Sequence, residues 1–93
     1  MKQQKHIYNK RMGRVADFHG TTTQNRVCVH YPNLIRANGQ PVYGQVLIGR
    51  NNVWISDDQY RVIRLAEQKR QLKRKNAFAK SVIDHADQII AAL

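Results

Sequence analysis

Apolar and polar positions change period once along this chain, near residue 55. Before that point they alternate, as in strands with one buried face; after it they recur every three or four residues, as on helices. The clearest strand is Arg26-Val27-Cys28-Val29-His30-Tyr31, with Val27, Val29 and Tyr31 on one face and Arg26, Cys28 and His30 on the other. Arg14–His19 reads as an earlier strand. Pro32-Asn33 ends the clear strand, and Leu34-Ile35-Arg36 is a short strand of its own. Asn38-Gly39 marks a turn, because both residues tolerate positive φ. Val42–Ile48 follows as a strand in which Gly44 marks a bulge, then a turn over 49–52 and the strand Val53-Trp54-Ile55. These segments predict an antiparallel β-meander of three to five short strands over about 14–55.

The helical half opens with Ser56-Asp57-Asp58-Gln59, the pattern of a capping box with Ser56 as N-cap and Gln59 reaching back. Ile55 and Tyr60 occupy the two positions of a hydrophobic staple, and the two aspartates complement the positive end of the helix dipole. Beyond it Val62, Leu65, Ala66 and Leu72 form one apolar stripe, and Ala79, Val82, Ala86, Ile89 and Leu93 another. One long helix fits, with Gln68 and Lys75 as polar faults in its seam. The favoured reading is two consecutive helices, about 57–75 and 77–92, with Asn76 capping the second, because a compact domain must fold its apolar C-terminal segment onto the sheet. The predicted class is α+β: a single domain over 13–93, preceded by a basic arm over 1–12 whose order depends on a partner.

Composition then adds a strong constraint. Sixteen Lys and Arg against six Asp and Glu leave a net charge of +10 over 93 residues. About a quarter of the residues are Leu, Ile, Val or Phe, enough for a small core despite that charge. The charge is unevenly placed: residues 1–75 are basic throughout, whereas 76–93 hold Lys80 against Asp84 and Asp87. Such asymmetry predicts basic parts that meet a partner and a C-terminal segment that packs. A lone cysteine, Cys28, cannot close an internal disulfide, and no apolar run is long enough to span a bilayer or to form a signal peptide. The expectation is a soluble, cytoplasmic protein that uses no membrane.

Candidate chemistry is sparse. Cys28, His30 and His19 could supply three zinc ligands if the first two strands pair, yet nothing in the spacing demands it, and no metal or other cofactor is expected. Cys28 and His30 are also too far apart for a nucleophile and its base, roughly 7 Å at the backbone of one strand. A nuclease needs clustered carboxylates to hold a metal, and the helix accounts for most of the acids here. No phosphate-binding glycine loop occurs, so catalysis is not expected.

The charge points instead to a polyanion. Lys69, Arg70, Lys73, Arg74 and Lys75 crowd the end of the first helix, with Arg61 and Arg64 upstream. Lys10, Arg11 and Arg14 from the N-terminal part, and Arg26, Arg36 and Arg50 from the β region, complete the candidate phosphate-contacting set. Tyr43 and Trp54 are the candidate base-stacking rings. The predicted function is a non-enzymatic DNA- or RNA-binding protein that grips phosphate backbone. The alternative is an adaptor or inhibitor docking on an acidic surface of a nucleic-acid-processing host enzyme. The stripe on the second helix also admits a homodimer.

The segment Val53-Trp54-Ile55 followed by helices over 57–70 and 76–91 resembles a ribbon-helix-helix module in element order, over less than half the chain. That resemblance implies a dimer formed through the strand, Asn52 and Trp54 facing a DNA groove, and the start of the second helix near Asn76 touching phosphate. This chain departs from the pattern in having no glycine between the helices and a long β region before the strand.

Overall fold

The computed structural model describes residues 5–72 and 76–93. Five strands are followed by two helices: β1 (His6–Asn9), β2 (Arg14–Thr21), β3 (Val27–Ile35), β4 (Pro41–Val46), β5 (Asn52–Ile55), α1 (Asp57–Gln71) and α2 (Ala77–Ala91). The α+β class, the antiparallel sheet and the pair of consecutive helices are those read from the sequence. The sheet order is β4-β3-β2-β1-β5, so the first four strands form a meander and β5 returns to pair with β1.

The basic arm expected over 1–12 is corrected at its centre. His6–Asn9 is an inner strand, paired with β2 on one side and β5 on the other. Ile7 and Tyr8 look isolated among charged neighbours in the sequence, but each meets a partner in both flanking strands, and both are buried. The domain therefore begins before residue 13.

Alternation gives the sheet two apolar faces. Tyr8, Val15 and Ile55 face the helices and pack with Tyr60, Ile63, Ala66 and Ala86. Ile7, Ala16, Val27, Val29 and Tyr31 face the other way, with Leu34, Val42, Val46 and Trp54 around them. Ile7 and Val29 are wholly buried, although among the described residues no helix residue belongs to this cluster.

Two irregularities shape the sheet. Between Phe18 and Gly20 the β2–β3 register slips by one, which leaves His19 as the extra residue of a bulge; Gly20 has φ +128°, a conformation that favours glycine. Between Tyr31 and Ile35 the β3–β4 register shifts again. Pro32-Asn33 thus does not end the strand, as expected, but sits within it as an irregularity, since proline has no N–H for the ladder. Gly44 is also corrected: it lies in regular register opposite Val29, and its missing side chain leaves room for Tyr31, whose ring a Cβ would approach to 3.2 Å.

Both helix starts match the sequence reading. The Ser56 hydroxyl accepts the Gln59 N–H and the Gln59 side chain accepts the Ser56 N–H, while Asn76 caps α2 by accepting the Ala79 N–H at 2.8 Å. The stripe on α1 differs. Tyr60, Ile63, Ala66 and Glu67 are its buried residues, whereas Leu72 is 54% exposed beyond the last turn. The stripe on α2 packs within the chain: Ala79 and Ala86 are buried, and Val82, Ile89 and Leu93 lie against the helix-side core. The ribbon-helix-helix resemblance is not met either, because β5 pairs with β1 of its own chain and Trp54 lies in the second apolar cluster. Among the described residues no helix is long and apolar enough to cross a membrane.

Candidate nucleic-acid interface

The basic residues divide into two groups by their surroundings. Four of those on α1 have partners within the fold. Arg61 lies 3.5 Å from Asp58, and Arg70 forms an ion pair with Asp87 that ties α1 to α2. The Arg64 guanidinium lies over the Tyr60 ring and donates to its hydroxyl at 3.2 Å, and the Lys69 ammonium sits 5.6 Å from the Phe78 centroid. Arg14, half-buried, lies 3.9 Å from the buried Glu67. Lys73, Arg74 and Lys75, the densest basic run in the sequence, lie outside the described residues.

The second group is on the loops. Arg11 follows β1, Arg26 precedes β3, Arg36 follows β3 and Arg50 precedes β5. Each of the four connections between strands therefore presents one exposed arginine, and none of the four forms an ion pair among the described residues. The Lys10 N–H donates to the Asn51 carbonyl at 2.7 Å, which brings Lys10 and Arg11 to the loop that carries Arg50. The Lys10 ammonium itself donates to the Leu93 carbonyl at the end of α2.

The two aromatic candidates have different settings. Trp54 is half-buried, its ring edge-on to Phe18 at 5.5 Å in the second apolar cluster. Tyr43 is 58% exposed on β4.

Tyr43 also heads a row that pattern reading does not reveal. Register places Tyr43 opposite His30, His30 opposite Asp17, and Asp17 opposite His6, so one polar line crosses four strands on the helix side of the sheet. The Asp17 carboxylate lies 3.3 Å from His6 Nδ1 and 3.5 Å from His30 Nδ1. His6 Nε2 reaches Asp57 in the first turn of α1 at 3.3 Å, and its ring stacks on Tyr60 at 3.7 Å. Burial, and then the neighbouring Asp17 carboxylate, push the Tyr60 phenol above its usual range, so it remains a neutral hydroxyl between Asp17 and Arg64. At the far end, the bulge sets His19 beside His30 and Tyr43, with ring centroids 5.9 and 5.8 Å away.

No family model, curated protein or solved structure matches this chain. Function must then be argued from the surface itself. Among the described residues no group of three His, Cys, Asp or Glu side chains is gathered for a metal ion. Cys28 is a half-buried free thiol. An apolar groove of about 240 Å³ runs between α1 and α2, lined by Val62, Leu65 and Val82 with Arg61, Ser81 and His85 at its sides.

Proposed function

We propose that this chain is a small, non-enzymatic nucleic-acid-binding protein that grips phosphate backbone mainly with its strand-connecting loops, inside the cell and in the cytoplasm. One observation carries the reading: every connection between strands presents an exposed arginine with no ion-pair partner among the described residues. Four such guanidiniums around one sheet suit a ligand that carries many anions better than a single fixed carboxylate. Arg61, Arg64, Lys69 and Arg70, which have partners within the fold, add to the long-range field more than to direct contacts. Lys73, Arg74 and Lys75 add three further positive charges to the chain.

The test is the salt dependence of binding to a labelled DNA duplex, followed by fluorescence anisotropy. Four phosphate contacts give a log–log slope of about −4. Replacing Arg11, Arg26, Arg36 and Arg50 together by Gln should flatten that slope by about four and weaken all sequences alike. A wild-type affinity that stays flat between low and physiological salt would overturn the reading, and would leave docking on an acidic protein surface as the use of this charge.

A further inference from the structure

We propose that Tyr43, His30 and His19 form a stacking platform for an unpaired nucleobase, so that the nucleic acid held here is single-stranded. The proposal rests on the phosphate-binding reading above and specifies its ligand.

The platform has three parts contributed by three strands. Tyr43 on β4 and His30 on β3 are direct cross-strand partners, with ring centroids 5.4 Å apart and a tilt of 46°. Two such rings do not cover one another's faces, and Tyr43 accordingly remains more than half exposed. His19 stands nearly perpendicular to both, at 79° and 86°. It reaches that position because it is the extra residue of the β2 bulge, a device that re-aims a side chain at the cost of a ladder hydrogen bond. A stable sheet does not need that bulge, whereas a three-ring cluster beside an uncovered strand does.

The cluster is held from behind. Asp17 faces His30 Nδ1, and Asp17 is itself flanked by His6 and by the Tyr60 hydroxyl, to which Arg64 donates. The Asp17 contact restrains the His30 ring from its Nδ1 edge. The helices pack on β1, β2 and β5, reach β3 at Asn33, and leave Tyr43 open. Arg26, just before β3, precedes His30 by four residues, about 13 Å if the backbone is extended, which is roughly two nucleotides of single strand. An aromatic face with cations at this spacing suits a base stacked on a ring and phosphates on either side. In a duplex the bases are stacked on each other and cannot reach it.

The experiment compares a labelled oligo-dT of about twelve nucleotides with a duplex of equal length, at about 150 mM salt. Wild type should prefer the single strand. Tyr43→Leu should lose about 10-fold on oligo-dT while its duplex affinity stays within about twofold, and Tyr43→Phe should retain wild-type binding. Leucine at this exposed position keeps the strand, and an unchanged melting temperature would show it. If it does not fold, His19→Ala, also at an exposed position, should give the same selective loss. Equal weakening of both ligands, or of neither, would overturn the platform. Salt-dependent duplex binding without single-strand preference would remove the platform and leave the phosphate reading intact. Binding to neither ligand would remove both.

Discussion

The carboxylate of Glu67 on α1 accepts the main-chain N–H of Val15 on β2, and it does so in the interior, with Glu67 only 5% exposed. The same carboxylate accepts the Asn33 amide at 2.9 Å, and Asn33 also donates to the Arg64 carbonyl at 3.2 Å. Gln71 donates back to the Asn33 carbonyl at 3.2 Å. One acid therefore joins the helix to two strands, and the β3 irregularity is what delivers Asn33 to it. Glu67→Ala leaves a buried N–H and a buried amide unpaired, and should cost about 3 kcal/mol in urea unfolding. Glu67→Gln keeps one acceptor oxygen and should cost about 1 kcal/mol. A Glu67→Ala protein as stable as wild type would show that the clamp contributes nothing.

The same residue gives the stability a pH dependence. Burial raises the Glu67 carboxyl above its ordinary value, with Asn33, Val15, Arg14 and Arg70 pulling in the opposite direction. The folded state thus holds this proton more tightly than the unfolded chain. Its stabilising contribution is complete below the unfolded value and is lost as pH rises through the raised folded value. The stability of wild type relative to Glu67→Gln should therefore be greater at about pH 4 than at about pH 7. Parallel urea titrations of the two proteins measure it, and a difference independent of pH refutes it.

The side of α1 that faces the sheet can be assigned by a pair of truncations. Ile63 is 1% exposed in the helix-side core, whereas Leu72 is exposed beyond the last turn. Ile63→Ala should cost about 3 kcal/mol or more, and Leu72→Ala should change stability by less than about 0.5 kcal/mol. The reverse order would mean that α1 is rotated about its axis.

The start of α2 depends on one side chain. Asn76 satisfies the Ala79 N–H, and no acidic residue occupies the first turn of that helix. Asn76→Ala should lower stability by about 1 kcal/mol, and Asn76→Asp should preserve it or improve it through the helix dipole. Thermal melts of the two variants compare them directly. Equal loss in both would show that the cap is not what begins the helix.

Legibility in the sequence followed range of interaction. The Ser56–Gln59 box and the Asn76 cap are complete within four residues, and both helix starts stand where the pattern puts them. Val27, Val29 and Tyr31 alternate because a single strand exposes two faces, and that too is local. β1 is the opposite case: only pairing with β5, some 45 residues away, turns Ile7 and Tyr8 into core. Glu67 reads as one more helix-surface acid until β2 and β3 arrive around it. Arginine numbers are plain in the sequence, but which arginines find partners is a tertiary fact. Arg61 and Arg70 meet aspartates, and among the described residues Arg11, Arg26, Arg36 and Arg50 do not. The Tyr43–His30–Asp17–His6 row needs three registers at once, and the place of His19 beside it needs a bulge; no periodicity within one segment carries that information.

The placement of β1 between β2 and β5 has a consequence for how the chain acquires its shape. An inner strand made from residues 6–9 cannot be completed until residues 52–55 have been synthesised and brought back to it. The meander over β1 to β4 can form from neighbouring hairpins, but closure of the sheet waits on a contact nearly half the chain long, which is slow compared with local pairing. On a ribosome the early strands would therefore stand with one exposed edge until β5 emerges. Trimming the first nine residues, which in sequence look like a dispensable basic leader, would remove the strand on which that closure depends.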